Sequence, residues 1–382
     1  MIPRHASPTL RRLLAGFPVV TVTGPRQSGK TTLVRALLAD RPYVSLETPA
    51  ERDFARSDPQ GFVNRFPDGA VIDEVQHAPA LLSQLQSVVD ADGRMGLFAL
   101  TGSQNLSLLA HVTQSLAGRS ALVELLPLSV AELRECGKLH ADAATQMLCG
   151  FYPALYDRDV LPGDWLQNYL LTYAERDARQ LSAIHDLGAF QRLLRLAAAR
   201  TGQLLNHAAL ASDTGISEST ARHWLSILET CYLIHYVRPH ARNFGKRLIK
   251  SPKLYFTDVG LASALLGIQT AEQLALHPLR GALFETLVIN EFLKSRRNAG
   301  SRDQLWFWRD NIGTEVDLVL ERGVALAGVE IKSGPSVADD AFGQLRKWQR
   351  YASAIQTHLG LVYGGGECYE RAGISVRSWR ML

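Results

Sequence analysis

The chain has 382 residues, which is longer than one compact core usually supports, so we expect two or three domains. Hydrophobic residues make up 46% of the sequence and charged residues 20%, a balance that excludes a disordered or fibrous protein. The net charge is +4, which permits a nucleic-acid partner but does not require one.

Cysteine usage and apolar runs restrict the environment in which we expect the chain. The four cysteines lie far apart and form no Cys-x-x-Cys pair, so we expect neither a disulfide framework nor a zinc site. No apolar run approaches the ~18 residues of a membrane span, and Gly16 and Pro18 interrupt the apolar stretch near the N-terminus. We therefore predict a cytoplasmic protein with no signal peptide and no membrane partner.

Three regions differ in their pattern of hydrophobic residues. Residues 1–140 alternate short apolar runs with helical stretches, which predicts a parallel α/β sheet. Residues 141–270 are mainly helical and include two strand-like runs separated by a basic stretch. Residues 271–382 follow the order helix, three strands, helix, strand. We therefore predict three domains with these bounds.

A glycine-rich motif, G-x-x-x-x-G-K-[ST], lies between the first predicted strand and the helix that follows it. Its glycines allow a tight turn whose N–H groups point at phosphates, and the helix N-terminus adds a favourable dipole. We expect Lys30 to contact the β- and γ-phosphates and the Thr31 hydroxyl to bind Mg²⁺. The motif predicts a site for ATP with Mg²⁺ that is formed by Gly24, Pro25, Arg26, Gln27, Ser28, Gly29, Lys30, Thr31 and Thr32.

Two further strand ends complete the predicted phosphate site. A buried strand carries Asp73 and Glu74 to the carboxyl edge of the sheet. There Asp73 can hold Mg²⁺, and Glu74 can orient or polarise the attacking water. A third buried strand ends in Thr101 and Ser103, either of which could contact the γ-phosphate or the water.

The sequence resembles the AAA+ ATPases, and in particular the bacterial proteins that combine an AAA domain with DUF4143, in the segments GPRQSGKTTL, VIDEVQ, LTGSQN, SLAGRS and LPLSVAEL. The resemblance covers nearly the whole chain and implies that Ser103 occupies the sensor-1 position. It also implies that Arg119 is an arginine finger for a neighbouring subunit, which requires a homo-oligomer such as a hexameric ring. A solvated arginine at a helix end is the alternative interpretation of Arg119. No clear sensor-2 motif is present, and Arg176 is the candidate.

The middle region contains a helix-turn-helix pattern. A helix that starts near Asn206 is followed by a glycine turn and a second helix with one apolar face. The opposite face carries Arg222 and His223, which could enter a DNA groove. A basic segment that ends at Lys253 follows, as expected for a winged helix whose wing lies on phosphates. Its candidates for DNA contact are Arg242, Lys246, Arg247 and Lys250. The alternative is a winged helix that packs against protein, for example as a lid of the ATPase.

The C-terminal region carries an aspartate on one predicted strand and a Glu-x-Lys triplet on the next, so Asp317, Glu330 and Lys332 would meet at one edge. With Glu285 on the preceding helix and Gln344 on the following one, this pattern resembles the PD-(D/E)XK nucleases. The resemblance implies a restriction-endonuclease-like α/β fold in which Glu285, Asp317 and Glu330 bind Mg²⁺ and Lys332 stabilises charge. A structural ion-pair cluster, or a domain that binds DNA without cleaving it, is the alternative.

Together these features favour an AAA+ ATPase that uses ATP hydrolysis to remodel or translocate duplex or branched DNA. Lys30, Thr31, Asp73 and Glu74 would carry the ATP chemistry, and Arg119 would complete the neighbour's site. Two other hypotheses stay open, an ATP-driven regulatory switch that acts through protein partners and a metal-dependent endonuclease gated by ATP.

Overall fold

The computed structural model describes residues 2–103, 115–174, 184, 186–241, 244 and 248–382. Four candidate residues, Arg176, Arg242, Lys246 and Arg247, lie outside this part of the chain. The chain divides into two compact units. The first unit consists of Met1–Leu128, Thr230–Tyr232 and Lys294–Arg302, and the second of Ser129–Glu229, Leu233–Leu293 and Asp303–Leu382.

The first unit is built on a parallel five-stranded sheet. Its strands are β1 (Val19–Thr23), β2 (Tyr43–Ser45), β3 (Ala70–Asp73), β4 (Phe98–Gly102) and β5 (Ser120–Glu124), in the spatial order β2-β3-β4-β1-β5. Its helices are α1 (Ser7–Gly16), α2 (Lys30–Leu37), α3 (Pro49–Ser57), α4 (Pro59–Asn64) and α5 (Ala80–Asp92). The parallel α/β sheet predicted from the sequence is confirmed.

Both faces of this sheet are buried. Successive side chains of a strand point to opposite faces, and here they pack into two different cores. Val19 and Ile72 belong to one core, whereas their neighbours Val20 and Val71 belong to the other. This explains why the strands are continuous runs of β-branched and apolar residues, as is usual for a parallel sheet covered by helices on both faces.

The carboxyl ends of the central strands lie side by side. Thr23 at the end of β1 pairs with Gly102 at the end of β4, and β3, which ends at Asp73, pairs with the other side of β4. Because the three strands are parallel, the chain leaves each of them at the same edge. The three predicted phosphate-site motifs therefore meet at one edge of the sheet.

The described residues form eleven further helices, and each of them lies wholly or mostly in the second unit. They are α6 (Val130–Glu135), α7 (Ala143–Cys149), α8 (Ala154–Asp157), α9 (Pro162–Tyr169), α10 (Leu187–Ala198), α11 (His207–Thr214), α12 (Glu218–Thr230), α13 (Val259–Leu265), α14 (Ala271–Leu276), α15 (Arg280–Asn298) and α16 (Gly343–Tyr351). None of the helices in the described part of the chain is long and apolar enough to cross a membrane.

The strands of the second unit form one mixed sheet in the order β13-β14-β12-β11-β10-β9-β7-β8-β6. They are β6 (Gln203–Leu204), β7 (Ile234–Pro239), β8 (Lys253–Phe256), β9 (Trp306–Arg309), β10 (Glu315–Arg322), β11 (Ala325–Lys332), β12 (Thr357–Tyr363), β13 (Tyr369–Arg371) and β14 (Ile374–Ser378). From residue 280 the order of elements is helix, three strands and helix, as predicted, but three strands follow the last helix where one was predicted. Leu318 of β10 pairs with Val329 of β11, so Asp317 and Glu330 are neighbours on adjacent antiparallel strands.

Residues 187–256 follow the order helix, strand, helix, helix, strand, strand, which is α10, β6, α11, α12, β7 and β8. β8 lies between β6 and β7 and is antiparallel to both. The Asn206 side chain caps α11 by accepting a hydrogen bond from the amide of Ala209 at 3.0 Å, and Gly215, with φ +79°, ends it. Trp224 and Leu228 of α12 are buried. The predicted helix, glycine turn and amphipathic helix are confirmed.

Candidate functional sites

The loop between β1 and α2 has a backbone that requires glycine at its two ends. Gly24 has φ +144°, and a Cβ atom there would lie 2.1 Å from the carbonyl oxygen of Leu125. Gly29, the last residue before α2, has φ +92°, which places it in the left-handed region. The motif glycines therefore fix the tight turn that brings the loop amides and the N-terminus of α2 to the same side.

Two buried cations shape this loop. The Nζ of Lys30 donates to the carbonyl oxygens of Gly24 at 3.0 Å and Pro25 at 2.8 Å. Arg4, which the sequence analysis did not identify, donates from Nη1 to the carbonyl oxygen of Ser28 at 2.6 Å. Arg4 therefore ties the N-terminal segment to the loop, while Lys30 links carbonyl groups within the loop itself.

Asp73, at the end of β3, accepts hydrogen bonds from three hydroxyl groups. The Thr31 Oγ1 lies 3.0 Å from Oδ1 and 3.1 Å from Oδ2 of Asp73. The Tyr43 hydroxyl donates to Oδ2 at 2.8 Å, and the Thr101 hydroxyl donates to Oδ1. Burial, with the hydrogen bond to Asp73, raises the pKa of Tyr43 to about 12, so the phenol is a neutral donor. Tyr43 was not among the predicted site residues, and Thr101 was expected to contact the γ-phosphate or the water.

These residues fit a magnesium ion. Thr31 and Asp73 present hard oxygen donors in direct contact with each other, and Mg²⁺ in phosphate-binding proteins is held by one or two such side chains together with substrate phosphates. The other hydroxyls on Asp73 orient its carboxylate, as is usual for the residues behind a metal ligand.

Glu74 follows Asp73 in a left-handed backbone conformation, with φ +55° and ψ +48°, which is uncommon for a residue other than glycine. Ser103 donates from Oγ to its Oε2 at 3.1 Å, and the amide of the Gln76 side chain donates to the same oxygen. Arg26 of the loop has Nη1 at 4.0 Å from Oε1. Burial raises the pKa of Glu74, but the nearby Lys30 and Arg26 cations outweigh it and hold the pKa below its ordinary value. Glu74 is therefore an ionised acceptor next to the phosphate loop.

Arg119 lies at the other edge of the sheet from the loop, because it precedes β5 and β5 runs parallel to β1. Its Nη2 donates to Asp90 Oδ2 at 2.8 Å, and its Nη1 donates to the carbonyl oxygen of Ala117 at 3.0 Å. A five-residue strand spans roughly 16 Å, so Arg119 does not reach the loop of its own chain. Its action on a neighbouring subunit stays a prediction.

The described candidates for DNA contact lie on the surface of the second unit. Arg222, His223 and Lys250 are all exposed. Arg222 donates from Nε to Glu218 Oε1 at 3.0 Å, one helical turn away on α12. Their contact with DNA stays a prediction.

A second group of charged side chains surrounds Lys253, which was predicted both as the last cation of the basic segment and as the first residue of a strand, and which lies buried at the start of β8. Its Nζ is 2.8 Å from Glu285 Oε1, 2.6 Å from Glu315 Oε1 and 3.9 Å from Asp317 Oδ1. Burial lowers the pKa of Lys253, but these three carboxylates outweigh burial and raise the pKa above its ordinary value. The Tyr255 hydroxyl donates to the same Glu285 oxygen at 2.5 Å.

Glu330 completes this group. Lys332 donates from Nζ to Glu330 Oε1 at 2.7 Å, which confirms that the two side chains share a face of β11. Asp317 Oδ2 accepts from the amide of Ile331 at 2.9 Å. Burial, followed by the Glu285 and Glu330 carboxylates, raises the pKa of Asp317 well above its ordinary value. We call Glu285, Glu315, Asp317 and Glu330 the carboxylate cluster.

The carboxylate cluster does not fit the magnesium site that the nuclease resemblance implies. The ammonium of Lys253 lies where Glu285 and Asp317 converge. Within the described ranges, no group of three or more His, Cys, Asp or Glu side chains is arranged to hold a metal ion. Gln344, the fifth residue of the pattern, is exposed near the start of α16. The geometry thus brings the predicted residues together but disagrees with their predicted metal role.

The chain matches three family models, described as an AAA domain over residues 16–134, a domain of unknown function (DUF8612) over residues 140–272 and a domain of unknown function (DUF4143) over residues 280–381. With the phosphate loop and its parallel sheet, these matches define an ATP-binding protein of the AAA ATPase class that also carries a DUF4143 domain.

The chain belongs to the same family as the uncharacterized protein Rv2008c of Mycobacterium tuberculosis and the uncharacterized protein Mb2031c of Mycobacterium bovis. It is 33% identical to each over 339 residues, which cover 88% of this chain and 75% of each relative.

Two solved structures are similar at low identity. The Walker-type ATPase PABY2304 of Pyrococcus abyssi is 16% identical with a TM-score of 0.48, over 69% of this chain and 96% of its own. A DNA replication initiation factor is 14% identical with a TM-score of 0.29, over 77% of this chain and 91% of its own. Likeness at this level carries no argument about function.

Proposed function

We propose that the protein hydrolyses ATP and couples hydrolysis to the remodelling or translocation of duplex or branched DNA. The observation that carries the ATPase part is the contact of Thr31 with Asp73 at 3.0 Å and 3.1 Å, beside an ionised Glu74. In this proposal Asp73 is placed to bind a metal ion and Glu74 to bind the attacking water, both next to the phosphate loop.

Each residue of the phosphate site has a distinct task in this proposal. Lys30 exchanges the loop carbonyls for phosphate oxygens, because an ionised phosphate is the stronger partner of an ammonium. Thr31 and Asp73 hold Mg²⁺, which, when bound, neutralises charge on the β- and γ-phosphates. Glu74 orients the attacking water and accepts its proton, and Ser103 keeps the Glu74 carboxylate in place.

The element order from α10 to β8 supports the DNA part of the proposal. Helix, strand, helix, helix and two strands, with the first strand beside the last, is the order expected of a winged helix, in which the second helix of the pair would enter the major groove. In this proposal Arg222 exchanges Glu218 for a DNA phosphate, and Lys250, with Arg242, Lys246 and Arg247, belongs to the wing. The surface pair of Arg222 and Glu218 contributes little by itself, so the exchange costs little.

The matched ranges also support the division into domains 1–140, 141–270 and 271–382. The AAA match lies inside the first domain, the DUF8612 match differs from the second by at most two residues at either end, and the DUF4143 match lies inside the third. We infer a homo-oligomer, such as a hexameric ring, because the resemblance to AAA+ ATPases makes Arg119 an arginine finger and its place at the far edge of the sheet keeps it away from the loop of its own chain. In this proposal it exchanges Asp90 for the neighbouring subunit's γ-phosphate.

The test is the steady-state ATPase rate without DNA, with duplex DNA and with a four-way junction, each over a series of salt concentrations. We expect DNA to stimulate the rate and the stimulation to fall steeply with salt, because phosphate contacts release counterions. Arg222→Ala should weaken the stimulation and reduce the salt slope by about 1. Arg94→Ala is the matched control, since Arg94 is also an exposed arginine paired with a carboxylate.

A rate that is indifferent to DNA at every salt concentration would contradict the DNA part and favour the regulatory switch. The ATPase part is tested separately by the Lys30→Ala variant, which also measures the background from contaminating ATPases.

A further inference from the structure

We propose that the ammonium of Lys253 is the permanent cation of the carboxylate cluster, so that the cluster takes no divalent metal ion. The inference concerns the second unit alone and does not depend on ATP hydrolysis. In this proposal the cluster is an ionic network that links strands and a helix. The proposal also excludes an ATP-gated endonuclease that uses this site.

The position of the ammonium carries the first step. Lys253 Nζ is within 3 Å of one oxygen each from Glu285 and Glu315, at 2.8 Å and 2.6 Å, and 3.9 Å from Asp317. Its side chain is only 4% exposed, so water does not screen these contacts. A divalent ion bound to Glu285 and Asp317 would therefore have to share the space with a positive charge.

The donors on Glu285 carry the second step. Residues 253 and 255 point to the same face of β8 because side chains alternate along a strand. Lys253 and the fully buried Tyr255 both donate to Glu285 Oε1, so the lone pairs of that oxygen are already used. A metal ion could use this oxygen only if at least one of these two buried donors gave up its hydrogen bond.

The remaining carboxylates have protein donors as well. Glu330 Oε1 accepts from Lys332 at 2.7 Å, and Asp317 Oδ2 accepts from the backbone amide of Ile331 at 2.9 Å. Each of the three predicted metal ligands therefore already has at least one partner from the protein. What results is a network that ties β8 to α15 through Glu285 and to β10 through Glu315 and Asp317.

The first experiment leaves Lys253 unchanged. Mn²⁺ binding to the nucleotide-free full-length protein is measured by electron paramagnetic resonance for the wild type, Asp317→Asn and Glu285→Gln. We expect the three titrations to coincide, because Mn²⁺ bound anywhere else is common to all of them. Loss of a Mn²⁺ site in Asp317→Asn or Glu285→Gln would overturn the proposal.

The second experiment removes the internal cation. Lys253→Met keeps the length of the side chain and deletes its charge, so the cluster should gain a Mn²⁺ site that is tighter by roughly 10- to 100-fold than any cluster binding in the wild type. Mn²⁺ should then raise the unfolding temperature of Lys253→Met but not that of the wild type or of Lys253→Met combined with Asp317→Asn. Absence of a new site in a folded Lys253→Met protein would show that Lys253 does not take the place of a metal ion. If Lys253→Met does not fold, the first experiment decides.

Discussion

The two charged sites of the molecule both contain a buried lysine next to carboxylates, yet the lysines have different partners. Lys30 donates to backbone carbonyl oxygens of the phosphate loop, and hydroxyl groups hold the neighbouring Asp73. Lys253 instead lies directly between Glu285 and Glu315. A phosphate can replace a neutral carbonyl as the partner of an ammonium, but it competes poorly with two half-buried carboxylates that already hold the ammonium. The kind of partner, more than the kind of residue, separates a site that is open to a ligand from a closed network.

We call the phosphate site, with Lys30, Asp73 and Glu74, the open site. The largest expected effect is on ATP turnover at this site. Glu74→Gln keeps the shape of the side chain and its contact with Ser103 but removes the base, so ATP turnover should fall by about 100- to 10,000-fold. Binding of a fluorescent ATP analogue should stay close to that of the wild type. Undiminished hydrolysis in this variant would move the catalytic role to another residue.

We call Lys253 together with the carboxylate cluster the closed network. A substitution in this network should have its largest effect on the free energy of unfolding. Lys253→Met leaves the half-buried Glu285 without its cation and leaves Glu315 with Arg309 alone, which should cost up to about 3–5 kcal/mol of unfolding free energy. Chemical denaturation measures this loss, and Lys332→Met is the matched control. The Lys332 side chain is 43% exposed, compared with 4% for Lys253, so its removal should cost less. Equal losses in the two variants would contradict the central place of Lys253 in the network.

The next prediction concerns the lysine of the open site and the affinity of that site for ATP. Lys30→Ala removes a charged hydrogen-bond donor to the phosphates and should weaken ATP binding by about 100-fold. The free energy of unfolding should change less than in Lys253→Met, because the hydrogen bonds that Lys30 gives up are to loop carbonyls and Glu74 keeps the nearby Arg26 cation. Calorimetric titration with ATP and Mg²⁺ measures the affinity, and normal affinity would refute the assignment of the phosphate loop.

Much of the open site could be predicted from the sequence because its geometry is local. The loop motif fixes the turn before α2, and three apolar runs that end in polar residues meet at one edge wherever parallel strands lie side by side. Thus Lys30, Asp73, Glu74 and Ser103 lie where the sequence placed them. The pattern of the C-terminal region likewise predicted the helix, three strands and helix that begin at residue 280, but it gave one strand where β12, β13 and β14 follow.

The closed network could not be predicted, because its contacts join distant parts of the chain. Lys253 and Glu285 are 32 residues apart in the sequence, and only the pairing of β8 within the sheet brings the lysine inward. Its basic neighbours suggested an exposed segment. The alternation of β8, which points Lys253 and Tyr255 to the same face, was the available signal. Tyr43 was missed for a similar reason, since it lies 30 residues from Asp73 in the sequence and, at 38% exposed on an edge strand, is a surface residue whose hydroxyl reaches Asp73.

Tyr43 gives the smallest expected effect and the finest test of the open site. β2 pairs with β3 so that Tyr43 lies opposite Val71, and its hydroxyl reaches Asp73 at 2.8 Å. Tyr43→Phe removes one hydrogen bond to a charged acceptor, which is worth about 1.5 kcal/mol, so the affinity for Mg²⁺ in the presence of nucleotide should fall by roughly 10-fold.

The readout for Tyr43→Phe is a Mg²⁺ titration at a fixed concentration of a fluorescent ATP analogue, compared with binding of the same analogue without Mg²⁺. Only the Mg²⁺-dependent part should change, because Tyr43 acts through Asp73 and not through the phosphate loop. Thr101→Val, which removes a second hydroxyl from Asp73, should act in the same direction. If both variants titrate like the wild type, the contact of Thr31 with Asp73 is sufficient to orient the carboxylate. An equal loss with and without Mg²⁺ would instead indicate that the substitution disturbs the loop itself.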